Sequence, residues 1–202
     1  MVLLFSLSVH ESAHGWMAYR MGDDTAAQQG RISLNPFVHI DPVGTVLIPL
    51  LQIFWGGPFL GWAKPTPVGA HNFRRLARGH ILVAGAGPVS NLLLALLFTA
   101  ALFVAVRVSP SETFHTPLLA ILITGVQMNV ALAIFNLVPL PPLDGSWVAS
   151  WALPRPIANH YDRIMEPWGQ WILLVLFMTG VLGFLLAPFR VFLTSLLFSL
   201  VR

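Results

Sequence analysis

Apolar residues fill the chain in long runs separated by short polar breaks, and the runs set the expected elements. A helix needs about 20 mostly apolar residues to cross a bilayer. Residues 2–21 form the first such run, closed by Gly22-Asp23-Asp24. Residues 81–106 form the second, with Arg78 and His80 before it and Arg107 after it. Residues 118–140 form a third, which stops at the proline run of VPLPPLDG. Residues 171–186 are a fourth, followed by Ala187-Pro188 and a shorter apolar piece, 189–201, that either crosses back or lies along the interface. The pattern predicts an all-α polytopic membrane protein with about 4–6 transmembrane helices.

Two stretches depart from this rhythm. Residues 43–63, VGTVLIPLLQIFWGGPFLGWA, are apolar but broken by Pro49, Gly56, Gly57, Pro58 and Gly61. Non-helical backbone survives at membrane depth only where protein or a wet cavity covers it, so this segment is expected to be short or re-entrant. Beyond it, GWAKPTPV reads as an extended strand, since Pro65 and Pro67 exclude a helix interior. GRISLNPF alternates in a strand-like way. A small membrane-associated strand or re-entrant element is therefore expected beside the helices.

Composition agrees with the pattern. Of 202 residues, 56% are hydrophobic and only 9% charged, against about a quarter charged in a soluble domain. Most of the chain is expected in or against the lipid bilayer. The formal net charge of +3 comes with no basic tract, which argues against nucleic acid as a partner. The chain has no cysteine, which excludes disulfides and thiolate metal sites. The first run lacks the charged n-region and cleavage pattern of a secretory signal. No internal repeat or linker appears, so residues 1–202 are expected to be one domain, with a core over 1–150 and C-terminal membrane helices over 168–202. Arg31, Lys64, Arg74, Arg75 and Arg78, with Arg155 and Arg163, lie in the 22–80 and 141–168 loops, whereas the 107–117 loop holds only Arg107. Positive residues favour the cytoplasmic side, so the first span is expected to run from outside to cytoplasm.

The polar residues inside the first run are the chemically informative ones. VHESAHGW places His10, Glu11 and His14 where ionisable groups are costly, at least ~2.5–3.5 kcal/mol for a charge near mid-bilayer. On a helix, positions i and i+4 share a face, so both imidazoles can address one metal ion. Glu11 follows the first histidine, where the H-E-x-x-H pattern puts a general base. Polar helix packing would explain a lone histidine, but explains this spacing in lipid poorly. The nine preceding residues rise about 13.5 Å, which places the site near mid-bilayer or somewhat toward the cytoplasm.

Two histidines leave a catalytic zinc one protein ligand short of the usual three. Loop acids and the remaining histidines are all candidates by type. Asp144 stands out because Pro139, Pro141 and Pro142 unravel the preceding helix and Gly145 permits a sharp turn. An ordinary turn at a membrane exit would carry the same residues. His39 and Asp41 are further candidates, although Asp41-Pro42 also has the form of a helix start with proline at its first position.

Three motifs in order then point the same way. HESAH in a membrane span, GAGPVSN opening the next firm span, and NLVPLPPLDG closing the one after resemble the site-2 protease family of intramembrane zinc metalloproteases. GRISLNPFVHIDPVGT and GWAKPTPV are similar to its compact prokaryotic branch, which has no PDZ-like or nucleotide-sensing domain. The resemblance covers roughly residues 5 to 150. It implies one catalytic Zn2+ held by His10, His14 and Asp144, with Glu11 as catalytic base. Asn136 matches the family's substrate-engaging asparagine and Asn91 its glycine-proline-asparagine position. Two departures stand out: LDGS has one glycine where many relatives have two, and the spans that often precede H-E-x-x-H are missing.

The function expected is hydrolysis of a peptide bond in or near a transmembrane segment of a membrane-protein substrate, at a site in the cell membrane that water reaches from the cytoplasm. A substrate helix must unwind to be cut. The backbone N–H groups of Lys64, Thr66 and Val68 are expected to hold it by strand addition, together with Asn136. The alternative is a metal or proton transporter with His10, Glu11, His14 and Asp144 as a relay. That alternative leaves Glu11 next to His10 unexplained, and it favours paired broken helices, which the chain lacks.

Overall fold

The structure, a computed structural model, describes residues 1–48, 50–51, 61–108 and 112–201. Seven α-helices account for most of them: α1 (Val2–Met21), α2 (Thr25–Gln28), α3 (Leu76–Arg107), α4 (Glu112–Asn136), α5 (Asp144–Ala152), α6 (Arg155–Met178) and α7 (Val181–Ser199). There is no β-strand among the described residues.

Helix α1 covers the first expected run from end to end. It stops where Gly22 adopts φ +110°, left-handed backbone that suits glycine. The N–H groups of Gly22 and Asp23 close there onto the Tyr19 and Ala18 carbonyls at 3.1 and 3.0 Å. Its buried face is polar: Ser6, Ser8, His10, Ser12 and His14 turn inward with Gly15 and Ala18. That inversion suits a helix in lipid, where polar groups gain by facing protein.

The 32-residue α3 is the central element, packed along α1 on one side and α4 on the other. It meets α1 and the preceding loop through Ala18, Phe73 and Val83. It meets α4 through two clusters, Ala95–Val126–Val130 and Leu102–Ala105–Leu122, over which α7 lays Leu193, Leu197 and Phe198. Gly125 lets α4 approach closely, since a Cβ there would stand 2.5 Å from Phe98 Cδ1. Helix α3, residues 116–136 of α4, and α7 are long and apolar enough to cross a membrane. This is a helical membrane protein.

Three expectations change in detail. The third run leaves the helix at Asn136, and residues 137–143 form a turn. The 171–186 run is not one helix. It breaks at Thr179-Gly180, where Gly180 takes φ +75°, and α7 then passes through Pro188 without stopping. A proline removes one helical hydrogen bond, which membrane helices tolerate, whereas left-handed backbone ends the helix outright. The C-terminal apolar piece is consequently a full 19-residue helix.

GRISLNPF forms no strand but a bend leading into a 3-10 turn, Pro36–His39, whose N–H at Phe37 is capped by Asn35. Its alternation has another cause. Arg31 is buried and Ser33 partly so, while Ile32 and Leu34 face outward. The Arg31 guanidinium donates to the carbonyls of Val38 (2.6 Å), Pro65 (3.2 Å) and Lys64, and so ties this bend to the irregular segment 61–69. Asp41 caps the π-helical turn Pro42–Leu47 by accepting from the N–H groups of Val43 and Gly44. Residues 49 and 52–60 of the 43–63 stretch, expected to be short or re-entrant, lie outside the described residues.

The end of α1 is pinned to the start of α3 by Asp23. Its buried carboxylate accepts from the Gly69 N–H at 2.7 Å, from Asn72 Nδ2 at 2.9 Å and from the Thr25 hydroxyl. Burial alone would push this carboxyl up, but the donors outweigh it and hold it below the usual carboxylate range.

Candidate metal centre

Helix α1 places His10 and His14 one turn apart, with their rings 4.6 Å between centroids and nearly perpendicular. Their Nε2 atoms lie 3.0 Å from each other. Asp144, the first residue of α5, brings Oδ2 to 3.2 Å from His10 Nε2 and Oδ1 to 3.3 Å from His14 Nε2. Among the described residues these three form the one group of acids and histidines whose ligand atoms converge on a point.

Asp144 is set by the turn before it. Tyr161 of α6 donates its hydroxyl to the Pro139 carbonyl at 3.0 Å. Gly169 of α6 lies against Pro141, where a Cβ would meet Pro141 Cδ at 2.5 Å. Gly145 serves close approach, not left-handed backbone: a Cβ there would strike the Leu137 carbonyl oxygen at 2.3 Å. Further along α5, Trp151 and Trp147 lie parallel to the His80 ring of α3 at 4.4 and 5.4 Å.

Each histidine is held from behind. His14 Nδ1 lies 2.7 Å from the Val83 carbonyl. A carbonyl only accepts, so Nδ1 carries the proton and Nε2 keeps its lone pair. His10 Nδ1 lies 2.6 Å from Asn91 Oδ1. Such outer partners fix the orientation of metal-ligating imidazoles.

Two observations favour a cation at the convergence point. Asp144 Oδ2 is buried and has no hydrogen-bond donor, an arrangement that costs free energy unless a positive partner joins it. Gly87 of α3 leaves room beside the ring nitrogens, since a Cβ there would stand 2.4 Å from His14 Nε2 and 2.6 Å from His10 Nε2. Two neutral imidazoles and a carboxylate are the donor set of a catalytic zinc site, three protein ligands with a position left open. The residues fit the ion.

Glu11 stands outside the cluster of ligand atoms. Its Oε2 accepts the Thr66 N–H at 2.8 Å, and its own carbonyl accepts the Thr66 hydroxyl at 2.9 Å. The irregular segment 61–69 thus touches α1 at the one acid of that helix.

That contact corrects the expected availability of this segment. The Thr66 N–H is engaged by Glu11, and the Lys64 N–H donates to the His39 carbonyl at 2.9 Å. Only Val68, of the three, has an N–H without a partner among the described residues. The prolines do space the donors along one edge, but that edge faces the protein. Asn91 is also not open to a substrate, because it is fully buried between α1, α3 and α4 with its amide bonded to His10, Asn129 and Ser6. Asn136 ends α4 and donates to the Leu132 carbonyl at 2.9 Å. His39 and Asp41 do not join the ligand cluster: Asp41 caps, and His39 Nε2 sits 2.8 Å from the Ser33 carbonyl beside Ser12.

Sequence reasoning missed Thr66 as a partner of Glu11, Arg31 as the tie beneath it, and Asn129. The available signal for Asn129 was its place as an amide inside an apolar run, where polar groups need partners.

The fold and the site together define a helical membrane protein with a candidate metal centre, built on one helix and completed by a carboxylate from a distant turn. The chain belongs to peptidase family M50: the model of "Peptidase family M50" matches residues 1–178. It is similar to "Putative zinc metalloprotease YwhC" of Bacillus subtilis, at 40% identity over 92% of this chain and 82% of that protein. It is also similar to "Putative zinc metalloprotease Rip2" of Mycolicibacterium smegmatis, at 31% identity over 89% of this chain and 66% of that protein. The Mycobacterium tuberculosis protein of the same name is 32% identical with the same coverage. No solved structure matches the chain. The protein is a metalloprotease.

Proposed function

We propose that this metalloprotease cuts a peptide bond in or near a transmembrane segment of a membrane-protein substrate, using one zinc ion held by His10, His14 and Asp144. The observation that carries the reading is the convergence of those three side chains, with Asp144 Oδ2 buried and unpartnered, inside a wall of apolar helices. Zinc, when bound, supplies Lewis acidity that polarises a scissile carbonyl and makes water acidic enough to deprotonate near neutral pH.

The chain's own residues do the rest. Glu11 Oε takes a proton from the attacking water as the new C–O bond forms. It passes that proton to the amide nitrogen as the C–N bond breaks. Thr66 holds one carboxylate oxygen of Glu11 at 2.8 Å, leaving the other free to face the substrate. The outer bonds from Val83 and Asn91 keep the two Nε2 atoms unprotonated and aimed together. A substrate helix must unwind before its carbonyl can enter, and Asn136 and the Val68 N–H are the groups left to meet its freed backbone. Water reaches the site from the cytoplasmic side, and the substrate comes through the bilayer.

The test is incubation of the purified protein with a single-span substrate carrying a helix-breaking pair. Cleavage should stop on chelation and return with zinc. Cleavage that persists after complete metal removal, confirmed by elemental analysis, would overturn the reading.

A further inference from the structure

The face of His10 that turns away from Asp144 leads into a buried chain of amides whose direction is fixed at its far end. Asn129 Nδ2 donates to the Gly125 carbonyl at 2.9 Å and to Ser6 Oγ at 2.9 Å. A carbonyl accepts and never donates, so the nitrogen of this amide must point that way. Asn129 Oδ1 is thereby turned toward Asn91, whose Nδ2 donates to it at 3.0 Å and approaches the Ser6 carbonyl at 3.5 Å. Asn91 Oδ1 is the only atom of that amide left for His10 Nδ1, at 2.6 Å. Reversing either amide would set N–H against N–H or oxygen against oxygen. Asn91 and Asn129 are both 0% exposed, so no bulk water reaches them to absorb the mismatch.

We propose that Asn129 is a positioning residue for the metal centre: through Asn91 it holds His10 in the Nδ1–H tautomer and keeps the Nε2 lone pair free for the ion. The inference rests on the metal-centre reading above. His10 needs this device more than His14 does. His14 is fixed directly by a backbone carbonyl, which cannot reverse. The partner of His10 is a side-chain amide, which can. Without a fixed Asn91, His10 can instead carry its proton on Nε2 and donate it to Asp144 Oδ2, 3.2 Å away. That pairing satisfies the buried carboxylate and competes with the metal. The lock spans three helices, from the α4 backbone at Gly125 through Asn91 of α3 to α1.

The tautomer is read without metal or substrate. Metal-free protein with 15N-labelled histidine is examined by NMR in detergent, where the two ring-nitrogen signals distinguish the Nδ1–H from the Nε2–H tautomer. The His10 signals are assigned by their loss in His10→Asn. The wild type should show Nδ1–H. Asn129→Leu and Asn129→Ala should shift His10 toward Nε2–H. Their zinc dissociation constant, measured by chelator competition, should rise about tenfold, the low end for loss of an outer-sphere partner. A wild-type protein with the proton on Nε2 overturns the proposal. So does a folded Asn129 variant that keeps the wild-type tautomer and zinc affinity. If neither variant folds, the wild-type spectrum decides alone. A protein that cleaves nothing still yields the tautomer, so failure of the protease reading and failure of this lock are distinguishable.

Discussion

At the scale of single residues, the contact between Thr66 and Glu11 carries the most consequence. A general base is effective only when held within reach of the proton it abstracts, and Thr66 grips Glu11 twice, through its N–H and its hydroxyl. The two bonds are separable by mutation. Thr66→Ala keeps the N–H that meets the carboxylate and should leave kcat within a few-fold of wild type. Thr66→Pro deletes that donor and should lower kcat about tenfold or more, with KM little changed and zinc fully retained. Steady-state cleavage with metal analysis separates these outcomes; a Thr66→Pro enzyme with wild-type kcat would remove Thr66 from the catalytic arrangement. The same two residues show what spacing can and cannot reveal. The pairing of His10 with His14 was legible because the helical repeat alone puts them on one face. The partner of Glu11 was not, because it sits 55 positions away in an irregular segment. GWAKPTPV reads as an extended strand and forms none, and nothing in its sequence says which of its backbone groups face the protein.

At the scale of elements, the loop between α1 and α3 shapes the site as much as the helices do. Arg31 ties its bend to 61–69, and Asp23 ties the end of α1 to Gly69 and Asn72. The Asp23 tie gives a pH dependence with a definite sign. Its folded pKa is depressed, so its stabilisation is present above the unfolded value of about 3.9. It is lost as pH falls through the folded value. Thermal unfolding in detergent should show wild type losing stability more steeply than Asp23→Asn on acidification below about pH 4. The variant should be less stable at neutral pH and flatter in acid; parallel curves would show that Asp23 carries no such tie. Helix content was legible in the apolar runs, which account for α1, α3 and α4 nearly as read. The break at Gly180 was not, since proline is the louder signal and here the helix passes through Pro188. The strand-like reading of GRISLNPF fails because alternation says that two faces differ, not that the segment is a strand.

At the scale of the whole molecule, a polar-faced α1 meets α3 and Asp144 of α5 in a cluster of ionisable groups, in a chain whose other long helices are apolar. From the arginine bias we propose that the α1–α3 loop and the 141–168 segment face the cytoplasm, the side from which water would reach Glu11. Single cysteines at His71 and Asn159, both exposed in this cysteine-free chain, should resist an impermeant thiol reagent in intact cells and react after lysis. Reaction at His71→Cys in intact cells would invert the proposed access. The central claim is that the metal is held by His10, His14 and Asp144 while Glu11 moves the proton, and one paired measurement on Glu11→Gln tests it. The amide keeps an oxygen for the Thr66 N–H and leaves all three ligands untouched, so the variant should fold and bind zinc as wild type does. Zinc content and cleavage of a single-span substrate are measured on the same preparation. The account predicts full zinc occupancy with cleavage reduced by about 10²–10⁴-fold; wild-type turnover by the zinc-loaded variant would contradict it.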